Sequence, residues 1–248
     1  MKGISILMYH QVGDFKPMQS HRANYCHYKR FGAQMAYLQR RGYKVLSMDQ
    51  VLACLNGEQP VPEKAVAITF DDGYENFLQY AFPVLKAYEF PAMVYLIGGA
   101  LGGQADWLQA IDREPSPLLS ESQILMLRGE GVDFGSHGQT HTRLAGLGSA
   151  QLQFEVAESK QRLESLLAEP VRHFCYPYGS HDLAAADAVK SAGYLTAVTC
   201  QRAAATAAFD PWLLPRKAIS FGDNLLGYAW KLARKNEPKQ PPLRWRDQ

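Results

Sequence analysis

Residues 65–73 have the sequence Ala-Val-Ala-Ile-Thr-Phe-Asp-Asp-Gly, an apolar run that ends in two adjacent carboxylates and a glycine. The first six residues predict a buried β-strand, and the two acids fall where that strand leaves the core. Neighbouring side chains on a strand point to opposite faces, but a turn at Gly73 would let Asp71 and Asp72 face one cavity. A solvated Asp-Asp-Gly turn is the competing interpretation, so a functional site requires partners elsewhere in the chain.

Strand and helix signals alternate along the rest of the chain. Short apolar runs predict seven further strands, at 4–9, 43–46, 92–97, 132–135, 172–176, 195–199 and 213–219. Apolar residues at helical spacing predict helices between these strands, the clearest of them over 149–167. No linker interrupts the alternation, which predicts an α/β fold with one parallel sheet covered by helices.

Three segments depart from this alternation. Residues 11–28 are predicted to form a long loop, and residues 98–120 are rich in glycine, proline and aspartate and too long for a simple connection. A segment of that length is typical of a lid or binding loop. Residues 234–248 are rich in proline and charge, so we expect one domain over residues 1–233 and a disordered C-terminal tail over 234–248.

The composition narrows the choice of partners. Lysine and arginine number 26 and aspartate and glutamate 24, and this net charge of +2 is too weak to favour nucleic acid as a partner. The four cysteines are far apart and form no Cys-x-x-Cys pair, so we expect reduced thiols that bind no metal.

The N-terminal residues bear on location. They contain neither a secretory signal nor the roughly 20 apolar residues of a membrane span, so we expect a cytoplasmic protein without a transmembrane segment. Trp230 and the basic stretch 231–239 leave room for peripheral contact with an anionic lipid. A solvated tail is the competing interpretation of that stretch.

Four predicted strand ends carry unusual polar residues: Tyr9-His10, Asp71-Asp72, His137 with His141, and Pro177-Tyr178-Gly179. In a parallel barrel the carboxyl ends of all strands meet on one face, where the active sites of such barrels lie. His137 and His141 are four residues apart, so one helical turn beginning at Ser136 would place both imidazoles within reach of one metal ion. An incidental pair of histidines is the competing interpretation.

Two histidines and one carboxylate form a ligand set that leaves positions open for water and substrate. A metal ion in such a set polarises a carbonyl and lowers the pKa of bound water to about 7. A second carboxylate beside the ion could take the proton of the water during attack on an amide or ester, and a histidine would protonate the leaving amine. The strand ends therefore predict metal-dependent hydrolysis.

Three of these polar stretches form recognisable motifs: Thr-Phe-Asp-Asp-Gly at 69–73, Ser-His-Gly-Gln-Thr-His at 136–141 and Tyr-Pro-Tyr-Gly at 176–179. They resemble the first three motifs of the polysaccharide deacetylases, the NodB-homology or carbohydrate esterase family 4 proteins. The resemblance implies an incomplete or distorted (β/α) barrel. It also implies a divalent metal, usually zinc, and removal of N-acetyl groups, sometimes O-acetyl or formyl groups, from sugars.

The resemblance also implies a role for individual residues. Asp71 corresponds to the general base of the family. Asp72, His137 and His141 correspond to its metal ligands. Tyr178 corresponds to the residue whose backbone N–H contributes to the oxyanion hole.

Two departures from the family pattern affect the remaining assignments. Family members commonly carry an arginine just before the Pro-Tyr-Gly turn that braces the catalytic aspartate, whereas Phe-Cys-Tyr stands at 174–176 here. Arg216, at the last predicted strand, is the predicted substitute. The C-terminal Leu-x-His motif that supplies the general acid is also missing, and the chain instead resembles the branch that begins with a Tyr-His pair. His10 is therefore the predicted acid, and a core histidine bonded to backbone is the competing interpretation.

The predicted substrate is an acetylated amino sugar in a polysaccharide, a glycolipid or a small precursor, and a cytoplasmic location would favour a nucleotide- or lipid-linked sugar. Two other functions stay open. The same ligands could serve another metal-dependent hydrolase, although the sequence offers neither an Asp-x-Asp nucleophile nor a Gly-rich phosphate loop. The barrel could also be an inactive carbohydrate-binding or scaffolding protein: the presence of all the ligands and the base argues against this, and the two departures keep it open. The sequence gives no indication of oligomeric state.

Overall fold

The structure, a computed structural model, describes residues 3–238. The described residues form ten strands: β1 (Ser5–Tyr9), β2 (Gln11–Gly13), β3 (Tyr25–His27), β4 (Lys44–Val45), β5 (Ala65–Phe70), β6 (Met93–Leu96), β7 (Asp133–Ser136), β8 (His173–Cys175), β9 (Thr196–Val198) and β10 (Lys217–Ala218). Eight of these strands form one sheet in the order β10-β1-β5-β6-β7-β8-β9, with β4 also paired to β5. Every pair in the sheet is parallel, and β2 and β3 form a separate parallel pair.

The sheet curls so that its two edges approach each other. Leu214 forms a parallel bridge with Val198 of β9 shortly before β10 begins. The backbone N–H of Thr199 also donates to the carbonyl of Leu214 at 2.9 Å. The architecture is a parallel half-barrel with flanking helices, and the predicted incomplete (β/α) barrel is confirmed.

The described residues also form eight α-helices: α1 (Tyr28–Arg40), α2 (Met48–Leu55), α3 (Phe82–Ala87), α4 (Glu121–Gly129), α5 (Ser149–Gln153), α6 (Ser159–Leu167), α7 (Leu183–Ser191) and α8 (Leu225–Arg234). A π-helical turn at Phe77–Ala81 precedes α3, and another at Phe154–Glu158 joins α5 to α6. Between residues 3 and 238, no helix combines the length and the apolar composition that crossing a bilayer requires.

β5 lies at the centre of the sheet because it is paired on both sides. β1 pairs along its side from Val66 to Phe70, and β4 and β6 share the other side. Its side chains alternate between two apolar clusters: Val66, Ile68 and Phe70 join the larger cluster with the helices, and Ala65 and Ala67 join the smaller one. A strand that is buried on both faces is apolar throughout, which explains the uninterrupted run before Asp71.

Several elements differ from the sequence predictions. Residues 11–28 contain β2 and β3, whose three-residue strands are too short to show periodicity. Residues 98–120 contain a 3-10 helix at Asp106–Ile111, and the predicted strand at 213–219 is reduced to β10. Residues 149–167 are helical as predicted, with the π turn in the middle. The four cysteines are free, also as predicted.

The packed part of the chain continues beyond residue 233, where the sequence predicts the domain to end. Arg234 is the last residue of α8. The backbone carbonyl of Asn236 accepts a hydrogen bond from the N–H of Ala204 at 3.1 Å, and its side chain accepts one from Lys217 at 2.8 Å. Residues 239–248 of the predicted tail lie outside the described residues, so the division of the chain stays a prediction.

Candidate metal and active site

Asp71 and Asp72 leave β5 at its carboxyl end and are both buried. Asp72 has a φ of 73° and Gly73 a φ of 72°, so the chain turns through two left-handed residues in succession. A left-handed conformation costs a non-glycine residue about 1–2 kcal/mol, and strain of this kind is concentrated at functional sites. The turn predicted at Gly73 is present, and it begins one residue earlier, at Asp72.

His137 and His141 converge on Asp72. The Nε2 atoms of both histidines lie 3.2 Å from the Asp72 Oδ1 atom, and one ligand atom from each of the three residues lies within 4.8 Å of the others. The helical turn predicted from Ser136 is wrong, because Gly138 (φ 81°) and His141 (φ 60°) have left-handed backbones that no α-helix contains. A loop, rather than a helix, brings the two imidazoles together.

Glu155 holds this loop in place. Its carboxylate accepts hydrogen bonds from the backbone N–H groups of Gln139 (2.9 Å) and Thr140 (3.0 Å), and from the Thr140 hydroxyl. Glu155 lies in the π turn between α5 and α6 and is buried. Extra turns of this type recur at functional sites, and here the turn supplies the carboxylate that fixes the loop between the two histidines.

The hydrogen bond made by Nδ1 of His137 determines whether Nε2 of the neutral ring carries a lone pair. Nδ1 of His137 lies 2.8 Å from the carbonyl oxygen of Cys175, which can only accept, so Nδ1 donates. In the neutral imidazole the lone pair is then on Nε2 and points at Asp72 Oδ1. That oxygen is buried and accepts no hydrogen bond from the described residues. Two lone pairs that face each other at 3.2 Å are repulsive unless a cation, either a proton or a metal ion, lies between them. Two imidazole nitrogens and a carboxylate oxygen around one point also fit a metal ion.

The ionisation of Asp72 also suits a metal ligand. Burial by itself raises the pKa of Asp72, but the charge of His141 and the hydrogen bonds from His137 and His141, in the protonated forms that the imidazoles take without a metal ion, more than offset this effect and hold the pKa well below its ordinary value. Asp72 is therefore a carboxylate at neutral pH. Metal ions bind carboxylates and neutral imidazoles, so no proton has to be removed from Asp72 before binding.

Asp71 is paired with Arg216. Nη1 of Arg216 lies 2.6 Å from Oδ1 of Asp71 and Nη2 lies 2.7 Å from Oδ2, a bidentate pair in which both residues are buried. Nε of Arg216 donates to the carbonyl of Thr199 at 3.0 Å, and Nη2 lies 3.2 Å from the sulfur of Cys175. The small Cys175 side chain, in the segment where family members carry their arginine, leaves room for the guanidinium of Arg216.

The arginine determines the charge of Asp71. Burial by itself raises the pKa of Asp71, but the charge and hydrogen bonds of Arg216 outweigh burial and leave the pKa below its ordinary value. Arg216 precedes β10, and the next residue, Lys217, points the other way and donates to the carbonyls of Lys231 and Leu232 at 3.0 and 3.2 Å. The alternation of a strand thus directs Arg216 into the half-barrel and Lys217 toward α8.

His10 lies on the other side of Asp71. Its Nε2 atom is 3.9 Å from Asp71 Oδ2, and its Nδ1 atom is buried without a hydrogen-bond partner among the described residues. Burial lowers the pKa of His10, although the carboxylates of Asp71 and Asp72 act in the opposite direction. The competing interpretation is a core histidine bonded to backbone. Among residues 3–238, neither ring nitrogen of His10 bonds a backbone group, so the structure does not support it.

Tyr178 contacts His141 through its side chain. Its hydroxyl lies 3.2 Å from Nδ1 of His141, and the two ring centroids are 4.5 Å apart. The guanidinium of Arg143 lies 4.4 Å from the centre of the Tyr178 ring, on the solvent side of the site. Tyr178 has a φ of 58°, so the Pro-Tyr-Gly turn is also left-handed. The structure therefore brings together all seven predicted residues: His10, Asp71, Asp72, His137, His141, Tyr178 and Arg216.

Replacing Tyr178 with phenylalanine is expected to weaken metal binding about tenfold, because the hydroxyl fixes the ring orientation and tautomer of His141. Isothermal titration calorimetry with Zn²⁺ measures the dissociation constant directly. Tyr176→Phe is the matched control, since the Tyr176 hydroxyl donates to the carbonyl of Trp212, away from the ligands, at 3.0 Å. Equal affinities of the two variants and the unmodified protein would show that the Tyr178 hydroxyl does not position His141.

The sequence interpretation missed two residues beside the ligands. Trp107, in the 3-10 helix Asp106–Ile111, has its ring centroid 4.4 Å from that of His141. The segment that carries Trp107 has the length of a lid or binding loop. An aromatic residue in such a loop is the only sequence feature that indicates a position near the site. Glu155 falls on the apolar stripe of the helix 149–167, next to Val156 and three residues after Leu152. A charged residue on a buried stripe signals a specific partner.

Comparison with known proteins agrees with the family that the sequence motifs resemble. The sequence profile of the polysaccharide deacetylases matches residues 58–197. YxkH of Bacillus subtilis, which is named for the same family, is 30% identical over 219 residues, which span 88% of this chain and 72% of YxkH. The poly-β-1,6-N-acetyl-D-glucosamine N-deacetylase of Staphylococcus epidermidis is 28% identical over 199 residues, which span 77% of this chain and 66% of that enzyme.

Solved structures include a similar chain. The deacetylase PplD of Streptococcus pyogenes, determined in complex with acetate, superimposes with a TM-score of 0.80 at 25% sequence identity. The superposition covers 93% of this chain and 98% of that one. The curled parallel sheet is therefore shared over nearly the whole length of both chains.

Proposed function

Because the chain belongs to the polysaccharide deacetylase family, we propose that it is a metal-dependent hydrolase that removes N-acetyl groups from the amino sugars of a polysaccharide. The observation that carries this proposal is the arrangement of two adjacent carboxylates with different partners. Asp72 faces two imidazole nitrogens, and Asp71 is held by the guanidinium of Arg216. Asp72 is thus suited to bind a metal ion, and Asp71 is suited to accept a proton.

Asp72, His137 and His141 would hold the metal ion, and their two nitrogens and one carboxylate favour zinc. The bound ion would polarise the acetamide carbonyl and make water more acidic. Arg216 outweighs the effect of burial and lowers the pKa of Asp71, so Asp71 is ionised at neutral pH. It can therefore accept the proton of the attacking water. Arg216 keeps both oxygens of Asp71 in one orientation through its two hydrogen bonds.

The remaining steps involve Tyr178 and His10. As the water oxygen bonds to the acetyl carbon, negative charge develops on the carbonyl oxygen, and we assign the backbone N–H of Tyr178 to its stabilisation. Cleavage of the carbon–nitrogen bond releases acetate and leaves an amine that needs one proton. We assign that transfer to His10, whose Nε2 atom lies 3.9 Å from Asp71 Oδ2 and can receive the proton that Asp71 takes from the water. Burial lowers the pKa of His10, so its protonated form gives this proton up readily to the amine.

The relatives suggest the first substrate to assay. One of them is named as a poly-β-1,6-N-acetyl-D-glucosamine N-deacetylase, so we propose an N-acetylglucosamine polymer as the substrate class. The rings of Trp107 and Tyr178 both lie beside the His141 imidazole, at centroid distances of 4.4 and 4.5 Å. Rings at these positions offer apolar surface for the face of a sugar next to the metal ligands.

Removal of the metal is expected to abolish the release of acetate from this polymer. Protein treated with a chelator and desalted would be assayed for acetate by an enzyme-coupled method, before and after addition of one equivalent of Zn²⁺. We expect no release from the metal-free protein and recovery with zinc, since the ligand set is preformed. Continued release by protein that metal analysis shows to be metal-free would contradict the proposal. Metal-loaded protein that binds the polymer but releases no acetate would instead support the carbohydrate-binding alternative.

A further inference from the structure

α8 has apolar residues on both of its faces. Tyr228 and Leu232 are buried against the rest of the protein. Leu226 and Trp230, one helical turn apart, are 82% and 55% exposed, and Leu225 beside them is 38% exposed. Among the described residues, eight large hydrophobic side chains are exposed, and three of them lie on this one helix. We refer to Leu225, Leu226 and Trp230 as the α8 outer face.

Cations outnumber acids around the α8 outer face, although Lys231 is ion-paired with Asp223, the residue before the helix N-cap. α8 contains no acidic residue, and its last turn contains Lys231 and Arg234. The Nζ atom of Lys235 lies 4.8 Å from the centre of the Trp230 ring. Among residues 225–238 there are three lysines and arginines and one acid, Glu237. Arg234 and Lys235 thus add positive charge beside the helix that exposes apolar side chains.

The position of α8 relates this face to the active site. α8 follows the carboxyl end of β10, so its first residues lie at the end of the sheet where Asp71 and Asp72 also lie. Its ten residues extend about 15 Å along the flank of the half-barrel. The amino end of α8 therefore lies at the same end of the sheet as the candidate site.

We propose that the α8 outer face docks the protein on a bilayer that contains anionic phospholipid. Leucine and tryptophan side chains enter the boundary between headgroups and acyl chains, and neighbouring lysines and arginines attract anionic headgroups. Tryptophan suits this boundary because it combines a large apolar ring with a polar N–H. The helix needs only to lie flat on the surface for this contact.

The charge pattern favours a bilayer over a second copy of the chain. In a two-fold symmetric dimer the same patch meets itself, so the cations around Trp230 would face identical cations. A neutral polysaccharide would not attract the cations either. An anionic bilayer satisfies both the apolar and the charged parts of the face.

Flotation of the full chain with vesicles tests this proposal. We expect binding to vesicles of phosphatidylcholine with about one third phosphatidylglycerol, and little binding to phosphatidylcholine alone, with the difference reduced by 0.5 M salt. The double variant Leu226→Gln/Trp230→Gln is expected to lower the partition coefficient about tenfold or more, since two exposed side chains lose their insertion energy. Acetate release from a soluble substrate stays unchanged, because neither residue contacts the site.

A matched control has the same chemistry at another helix. Leu125 and Met126 of α4 are 43% and 44% exposed, so Leu125→Gln/Met126→Gln removes comparable apolar surface elsewhere. This control is expected to bind vesicles like the unmodified protein. Three results overturn the proposal: no binding to anionic vesicles, equal binding by both double variants, or a concentration-dependent dimer that Leu226→Gln/Trp230→Gln dissociates in the absence of lipid.

Discussion

Asp71→Asn is expected to reduce acetate release by a factor of about 10² to 10⁴ while the protein keeps its metal. Asparagine has nearly the shape of aspartate, but its amide cannot take the proton of the attacking water. Asp72, His137 and His141 are unchanged, so metal binding should persist. The measurement is kcat on an N-acetylglucosamine polymer, together with the metal content of the same preparation.

A control separates loss of the base from loss of an ion pair. Asp49 of α2 is also paired with an arginine, Arg172, at 2.9 Å, and lies 3.1 Å from Nε2 of His173, the first residue of β8, at the end of the sheet away from the site. Asp49→Asn therefore removes an aspartate–arginine pair without removing the proposed base, and we expect its activity to remain near that of the unmodified protein. Full activity of Asp71→Asn, or equal losses in both variants, would remove Asp71 from the mechanism.

Arg216→Met is expected to have the largest effect on stability. Removing the guanidinium leaves Asp71 buried without its partner, and breaking a buried pair in this way costs about 3–5 kcal/mol of unfolding free energy. Catalysis should be lost as well, because the pKa of Asp71 is then governed by burial, which raises it. Urea unfolding and acetate release, measured on the same preparation, report the two effects.

The pH dependence of this difference tests its cause. With Arg216 in place the folded pKa of Asp71 is lowered, so its contribution to stability is present above the unfolded pKa of about 4 and is lost as pH falls through the folded pKa. The gap between Arg216→Met and the unmodified protein should therefore be largest at neutral pH and shrink in acid. A gap that is constant with pH would indicate lost packing instead of a lost ion pair.

Much of the fold and of the candidate site could be predicted because both depend on strand ends. A strand buried on both faces, such as β5, has an apolar sequence, and parallel topology brings the carboxyl ends of such strands together. Asp71, Asp72 and the two histidines could thus be grouped before any distance was known. His10 was grouped with them as a strand end, but its role as acid and the choice of Arg216 required the family resemblance, because nothing in their local sequence connects them to Asp71.

The residues that escaped prediction depend on tertiary contacts alone. Trp107 reaches His141 from a loop whose path is determined by packing against other parts of the chain. Glu155 reaches the loop between the histidines because a π turn rotates it there, and helical periodicity does not predict such a turn. The predicted helix between His137 and His141 failed for the same reason, since Glu155 holds that backbone in a different conformation.

The pairing of the first and last strands has a consequence for how the protein acquires its activity. Leu7 of β1 lies beside Lys217 of β10, and Asp71 and Arg216 are 145 residues apart in the sequence. Contacts between such distant segments form slowly in folding, because a long loop must close before they stabilise the chain. The three proposed metal ligands all precede residue 142, well before Arg216, which braces the proposed base. A nascent chain on the ribosome would therefore contain all three proposed ligands long before it contained that brace.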